Sequence, residues 1–279
     1  MMSTADLQPL SVQLTPALRA EYETNGVVIL RGVFSAHWLD QAEAGIDATL
    51  RAPSQYSESV VGEGGEGAYF NDYLNWRHIP ALRDYVLHSP AARIAKYLSG
   101  SRSITFYHEH VLCKEPLTAK HTPWHHDQSY YPLDGEQVCS IWMPVDHVMK
   151  KETLLFVKGS HNQGYFLPYK FATERPYTVS NSSVSNPHTF NPIPDDITQL
   201  GEVVGWEVAP GDCVVFNGKT VHGAPANMSS KHRRVLSTRW LGDDVIRAER
   251  PWVCSPPVVG DVKVGEKFQQ EGLFPVVEC

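Results

Sequence analysis

The sequence predicts a mainly β protein with flanking helices, organised as an antiparallel barrel or jelly roll. Beyond Gly100 the apolar pattern changes from helical spacing to alternation, which is the period of a half-buried strand. Turn signals such as Asp134-Gly135 and Pro210-Gly211-Asp212 separate several of these alternating segments. Many short strands without intervening helices are typical of barrels and jelly rolls, and the helices encoded before them are expected to pack against one sheet.

The first hundred residues carry the predicted helices. Thr15 followed by Pro16 marks a helix start, because the hydroxyl can cap the helix and proline fits its first position; this helix should end near Asn25-Gly26. Ser35 is expected to cap a second helix, in which apolar residues recur at helical spacing as far as Leu50. Further elements are predicted as a strand at 27–30 and helices at 80–88 and 90–98.

The remainder of the chain reads as strands, loops and one long insert. Strands are predicted at 103–113, 138–144, 153–157, 202–208, 212–216 and 233–241. Residues 53–67 are rich in Ser, Gly and Glu and predict a mobile loop; the aromatic and amide cluster at 69–76 is either a pocket lining or buried packing. Residues 165–200 are too long for a passive connection, so a lid-like insert over the barrel mouth is expected, and 251–279 should form a wrapping tail.

Composition narrows the class of protein. A chain of 279 residues with 42% hydrophobic content is long enough for one large domain, our preferred reading for residues 1–279, or two small ones. The net charge of -7, without a long basic run, argues against a nucleic-acid partner. Five scattered cysteines predict free thiols in a reducing compartment. The absence of a signal-like or membrane-spanning apolar run in the sequence completes the prediction of a soluble, cytoplasmic protein.

A candidate metal site is encoded in two separated stretches. His125 and Asp127 are two residues apart, so in extended backbone their side chains point to one face. His222 follows 95 residues after Asp127, beyond a strand that opens at a Pro-Gly-Asp turn, and a jelly roll brings such distant segments together. Two histidines and one carboxylate on one face of an iron ion leave three coordination positions free. The sequence therefore predicts His125, Asp127 and His222 as iron ligands.

A second metal arrangement remains open. His108 and His110 alternate on the predicted 103–113 strand and form the H-x-H pair of a cupin-like site if another histidine joins them. This alternative is less favoured because it leaves the pairing of His125 with Asp127 unexplained. His126, between the two predicted ligands, should point the other way.

The chain resembles the phytanoyl-CoA dioxygenase superfamily, which consists of iron(II)- and 2-oxoglutarate-dependent oxygenases on a double-stranded β-helix, a cupin-like jelly roll. The stretches that carry the resemblance are 123–131, 140–144, 159–161 and 222–224, followed by Asn227, Ser229 and Arg233. The resemblance implies Fe(2+), 2-oxoglutarate and O2, with His125, Asp127 and His222 as metal ligands. It also implies Arg233 as partner of the distal carboxylate of 2-oxoglutarate, and it places Trp142 and His110 beside that co-substrate. If Arg233 faces inward, Arg234 should face outward.

The resemblance implies hydroxylation of a small molecule, and the residues suggest its chemistry. Tyrosines can surround a cation and amides or histidines can meet an anionic end, so Asn71, Tyr73, His108 and Tyr130 are the candidate substrate residues. The hypothesis is a small zwitterion such as an aminophosphonate, a trimethylammonium compound or an ectoine-like solute. Alternatives are an acyl-CoA hydroxylase of the same family, a cupin-type metal enzyme that does not use 2-oxoglutarate, and a non-catalytic binding protein.

Overall fold

A computed structural model of the protein describes residues 14–64, 66–179 and 188–279. The helices are α1 (Pro16–Asn25), α2 (Ala36–Arg51), α3 (Pro80–His88) and α4 (Ala91–Ser99). The strands are β1 (Val27–Leu30), β2 (Glu58–Val61), β3 (Ala68–Tyr73), β4 (Thr105–Lys114), β5 (Thr122–His125), β6 (Leu133–Asp134), β7 (Val138–Pro144), β8 (Leu155–Val157), β9 (Tyr165–Phe166), β10 (Phe190–Asn191), β11 (Val203–Val204), β12 (Cys213–Asn217), β13 (His222–Ala224), β14 (Arg233–Leu241) and β15 (Ile246–Arg247).

Two antiparallel sheets form the body of the fold. The large sheet has the strand order β1-β12-β7-β14-β4-β3-β2, and the small sheet has the order β11-β8-β13-β5. Side chains of both sheets share one apolar cluster, in which Phe156 and Ala224 of the small sheet join Trp142, Phe216 and Val235 of the large sheet. Two sheets packed in this way through their inner faces are a jelly roll, so the predicted double-stranded β-helix is confirmed.

The outer face of the large sheet is covered by the helices. On β7, Cys139, Ile141 and Met143 belong to the same buried cluster as α3 and α4 residues, whereas Ser140 and Trp142 alternate with them and face the other sheet. A strand buried on both faces in this way explains why every residue of β7 is buried. The expectation that the early helices pack against one sheet is therefore correct.

Most predicted elements are present, with instructive exceptions. Thr15 accepts a hydrogen bond from the Leu18 amide and caps α1, but Ser35 makes no side-chain cap hydrogen bond before α2. The mobile loop predicted at 53–67 is wrong for Glu58–Val61, which pairs with β3. This strand is at the outer edge of the large sheet and is mostly exposed, so no apolar alternation reveals it. Residues 1–13, where the sequence predicts no signal peptide, lie outside the described residues.

The predicted wrapping tail is confirmed. Phe106 at the start of β4 donates its amide to the carbonyl of Pro275 at 2.9 Å, and Val277 donates to Ile104 at 2.9 Å. Phe268 and Phe274 pack their rings against Tyr107 at centroid distances of 5.5 and 5.7 Å. The tail therefore runs beside the end of β4 and adds to the core. None of the described helices is both long and apolar enough to cross a membrane.

Candidate metal centre

Three predicted ligands meet where the small sheet ends. His125 is the last residue of β5 and His222 the first residue of β13, and the two are direct partners in the register of these antiparallel strands. Asp127 opens the short 3-10 helix Asp127–Tyr130 that follows. Its Oδ1 is 3.7 Å from Nε2 of His125 and 3.8 Å from Nε2 of His222. One ligand atom from each residue lies within 4.8 Å of the others, a spacing that fits a single metal ion.

Backbone carbonyls orient both imidazoles. Nδ1 of His125 is 2.8 Å from the carbonyl oxygen of Pro123, and Nδ1 of His222 is 2.9 Å from that of Thr220. Because a carbonyl only accepts, each Nδ1 carries a proton, and in a neutral imidazole the Nε2 atom near Asp127 then has a lone pair free to bind a metal. Thr220 is itself held by Gly26, whose carbonyl accepts from its hydroxyl at 2.7 Å. A Cβ at Gly26 would come within 2.5 Å of that hydroxyl, so the close approach requires glycine.

The protonation states suit a divalent cation. Burial, together with the neighbouring His125, lowers the pKa of His222 to about 3, so its imidazole is neutral at physiological pH. Burial by itself raises the pKa of Asp127, but the positive charge of Arg239 acts together with His125 and His222 to outweigh it and holds that pKa well below its ordinary range. Neutral imidazoles and an ionised carboxylate are the ligand forms that iron(II) requires. The donor set therefore fits the metal that the sequence predicts.

Arg233 occupies the other end of the same cavity. The cavity is lined by the three ligands together with Arg233, Trp142 and His110, so all predicted metal and co-substrate residues meet there. Arg233 is buried, and its Nη1 donates to the Glu152 carbonyl at 2.5 Å. Its Nε is buried without a hydrogen-bond partner among the described residues. Burial lowers the pKa of Arg233 only to about 10, so a charged guanidinium with an unused N–H faces the space where a carboxylate would bind.

The four candidate substrate residues do not line this cavity. Oδ1 of Asn71 accepts a hydrogen bond from Nε2 of His110 at 3.2 Å, and the hydroxyl of Tyr73 is 3.0 Å from that of Ser255. The ring of His108 lies 6.2 Å from that of Tyr73. These side chains form a cluster behind His110 instead of joining the cavity lining.

Tyr130 is hydrogen-bonded to the insert. Its hydroxyl donates to the carbonyl of Tyr169 at 2.7 Å and accepts from the amide of the same residue at 2.9 Å. Tyr169 lies in the predicted insert, and two residues later the ring of Phe171 is 4.8 Å from that of His125. Tyr130 therefore holds the insert beside the metal ligands. Residues 180–187 of the insert lie outside the described residues.

Two orientation predictions are confirmed and the cupin alternative gains no support. His126 points away from the cavity, with Nδ1 3.2 Å from the Lys219 carbonyl and Nε2 against Ser129. Arg234 faces outward and pairs with Asp146 at 2.8 Å. Within residues 14–64, 66–179 and 188–279, no group of three potential metal ligands forms besides the predicted one.

Other lining residues were not assigned to the co-substrate site by sequence reasoning. Tyr69 borders Arg233 and belongs to the 69–76 cluster that the sequence offers as a pocket lining, and Phe171 covers His125 from the predicted insert; their exact positions depend on long-range packing. Arg239 contacts Asp127, with Nη2 to Oδ2 at 3.2 Å. A signal for Arg239 was present, because it lies six residues after Arg233 on one predicted strand and an even spacing places both on the same face.

The family follows from a comparison of the whole chain with known proteins. The family model described as phytanoyl-CoA dioxygenase (PhyH) matches residues 22–235. The chain belongs to this family. A Caenorhabditis elegans relative named probable phytanoyl-CoA dioxygenase is 23% identical over 253 residues, which cover 84% of this chain and 77% of the relative.

Solved structures show the same fold. The non-haem α-ketoglutarate-dependent carbocyclase SnoK from nogalamycin biosynthesis superposes with a TM-score of 0.69 at 22% identity, over 95% of this chain and 96% of SnoK. EctD from S. alaskensis, solved with 2-oxoglutarate and 5-hydroxyectoine, superposes with a TM-score of 0.61 at 14% identity, over 82% of this chain and 76% of EctD. Family membership and the donor set agree: this phytanoyl-CoA dioxygenase family member is an iron- and 2-oxoglutarate-dependent dioxygenase.

Proposed function

We propose that the enzyme hydroxylates an unactivated C–H bond of a small polar metabolite, such as an aminophosphonate, a trimethylammonium compound or an ectoine-like solute. The observation that carries the proposal is the lining of the cavity. One partly enclosed space holds both the metal ligands and Arg233, and its other walls are close-packed side chains. Such a site favours 2-oxoglutarate beside a small molecule, whereas an acyl-CoA would need a long additional channel.

Each group of residues has a separate task in this proposal. Iron with 2-oxoglutarate and O2 supplies the chemistry that converts C–H to C–OH. Arg233 binds the distal carboxylate of the co-substrate through its free N–H groups, because a guanidinium grips a carboxylate bidentately and keeps its charge when buried. Trp142 and His110 border the bound co-substrate. The carbonyls beside His125 and His222 keep both imidazoles directed at the metal.

The insert is the proposed lid. Phe171 lies over His125, and the paired hydrogen bonds between Tyr130 and Tyr169 hold this part of residues 165–200 in place. In the proposal, Tyr130 and its attached loop move together to admit the substrate. In this open form the cavity would extend past His110, so that Asn71, Tyr73 and His108 contact the polar end of the substrate. In the structure the ring of Tyr73 packs 5.5 Å from that of His110 and 6.2 Å from that of His108. Closure excludes water from the reacting carbon.

The whole chain is proposed to act as one catalytic domain. The helical part, about 15–100, packs on the outer face of the sheet that carries Arg233, and the tail pairs with the start of β4. A cytoplasmic location stays a prediction. The EctD structure with 5-hydroxyectoine gives independent support for a small polar substrate on this fold.

A turnover panel tests the proposal. Purified, iron-loaded enzyme is incubated with 2-oxoglutarate, O2 and each candidate zwitterion, and with phytanoyl-CoA as the competing class. The expected result is succinate formed in step with a hydroxylated zwitterion, and none when His222 is replaced by alanine. Coupled turnover of the acyl-CoA alone would establish the acyl-CoA hydroxylase instead. Ligand binding without any consumption of 2-oxoglutarate would mark a binding protein.

A further inference from the structure

Arg239 holds one oxygen of the metal-binding carboxylate. Its Nη2 donates to Oδ2 of Asp127 at 3.2 Å, and the hydroxyl of Ser140 donates to the same oxygen at 3.0 Å. The other oxygen, Oδ1, is the one that lies 3.7 and 3.8 Å from the Nε2 atoms of the two histidines. The two oxygens of Asp127 therefore have separate surroundings, one engaged by the large sheet and one directed at the metal position.

The large sheet builds this contact. In the register of the strands, Arg239 is the direct partner of Ser140 on β7 and of His108 on β4. Between Arg239 and Trp240 the register shifts, because β4 contributes the extra residue Tyr107 at that step. Along β14 the alternation is unbroken, so Arg239 faces the cavity as Arg233 and Ser237 do, while Trp240 is buried in the cluster under the helices.

A further hydrogen bond fixes the guanidinium from its other edge. Nε of Arg239 donates to the hydroxyl of Tyr131 at 3.0 Å, and the Arg239 side chain is 5% exposed. A buried arginine is stable only with a carboxylate partner in good geometry, and the partner here is Asp127. The planar fork of arginine allows Nε and Nη2 to bond Tyr131 and Asp127 at the same time, which a lysine cannot do.

We infer that Arg239 is a positioning residue that, together with Ser140, reserves Oδ2 of Asp127 and presents Oδ1 alone to the metal. The inference rests on the proposed function of the site as an iron centre. A carboxylate that binds through one oxygen leaves three positions for co-substrate and O2, whereas binding through both oxygens would occupy one of them. Arg239, Ser140 and Tyr131 together form what we call the clamp. Without it, Asp127 is free to turn its second oxygen toward the cation.

Manganese binding tests the inference without any turnover. Mn(II) is titrated into the metal-free full-length protein, and the metal-loaded crystals report how many Asp127 oxygens face the ion. Arg239→Gln is expected to weaken Mn(II) binding about 10–100-fold, the usual effect of removing the partner of a metal ligand. Its crystals should show both oxygens directed at the metal. Arg239→Lys, which keeps the charge but not the fork, should fall between. Arg234→Gln on the same strand faces outward and should bind as the wild type does.

Two milder variants keep the test informative if Arg239→Gln does not fold. Ser140→Ala and Tyr131→Phe each remove one hydrogen bond of the clamp and leave the charges in place, and each should weaken Mn(II) binding several-fold. A merely structural role would lower the melting temperature and leave the metal affinity unchanged. If Arg239→Gln binds Mn(II) with wild-type affinity through one Asp127 oxygen, the inference about Arg239 is wrong but the proposed function still holds. If Arg239→Gln does not fold, the same result in both milder variants leads to the same conclusion. Failure of the wild type to bind Mn(II) at the triad would overturn the proposed function as well.

Discussion

Replacing the buried Glu109 by glutamine is expected to stabilise the fold, and more strongly as the pH rises. Glu109 on β4 is fully buried, and its Oε1 accepts the amide of Asn75 at 2.5 Å. Its Oε2 is buried without a hydrogen-bond partner among the described residues. Burial raises the pKa of Glu109 from 4.5 to about 8, although the backbone amide of Asn75 opposes that rise. Glutamine keeps the acceptor for Asn75 and never ionises.

The sign and size follow from proton linkage. Between pH 4.5 and about 8 the folded protein retains a proton on Glu109 that the unfolded chain has lost, so the free energy of unfolding falls as the pH rises. At about 1.4 kcal/mol per pH unit, the wild type is destabilised by about 3 kcal/mol at pH 7 and by about 4 kcal/mol at pH 8. Below pH 4.5 both states carry the proton and the effect disappears.

Urea denaturation of both proteins from pH 5 to pH 8 measures this difference. The advantage of Glu109→Gln should be under about 1 kcal/mol at pH 5 and grow to about 4 kcal/mol at pH 8. Glu63→Gln, at an exposed position, is the control and should give no pH-dependent difference. A Glu109→Gln advantage that stays constant with pH would show that the carboxyl group is not held neutral in the fold.

Three further perturbations address the active site. Arg233→Gln should raise the KM for 2-oxoglutarate about 10²–10³-fold, because a bidentate charged pair contributes about 3–4 kcal/mol. The control Arg234→Gln should leave this KM within about twofold. Equal effects of the two variants in a succinate assay would contradict the inward direction of Arg233 and the outward direction of Arg234. Fe(II) at about 100 times its Kd under argon should raise the free energy of unfolding by about 2.7 kcal/mol. The corresponding rise in melting temperature should vanish in His222→Ala, and a retained rise would place the metal elsewhere. Phe171→Ala should open the site to water, so that 2-oxoglutarate is consumed in excess over hydroxylated product while its KM is unchanged; full coupling would count against the lid.

The metal site was predictable because its ligands are encoded in local patterns. The two-residue spacing of His125 and Asp127 indicates that their side chains lie on one face. His222 follows a strand, and a jelly roll places the next strand beside the one that ends at His125. The distance between these stretches along the chain is closed by strand pairing, so the fold class was sufficient to bring the three together. The outward direction of Arg234 likewise follows from simple alternation.

The surroundings of the site were less accessible to sequence reasoning. Tyr130 stays a candidate substrate residue, predicted on its aromatic character; the hydrogen bond of its hydroxyl to the backbone of Tyr169 was not predicted, because it depends on how the insert folds back. The inward direction of Arg239 follows from its even spacing from Arg233, but its contact with Asp127 depends on where the segment after β5 packs against β14, which the residue pattern does not encode. Glu58–Val61 carries no apolar alternation because it is an exposed edge strand. Each of these features involves a tertiary contact that local periodicity does not record.

The position of β5 at the free edge of the small sheet has a consequence for the protein in an iron-poor cell. This short strand contains Pro123 and contacts only β13 in its sheet, so few backbone hydrogen bonds retain it. Because His125 and His222 sit opposite each other on these two strands, a bound cation ties together segments that are 97 residues apart in the chain. We therefore expect β5 to detach from β13 first when iron is depleted. The enzyme without iron would then be cut by proteases more readily, so its abundance would follow the iron supply.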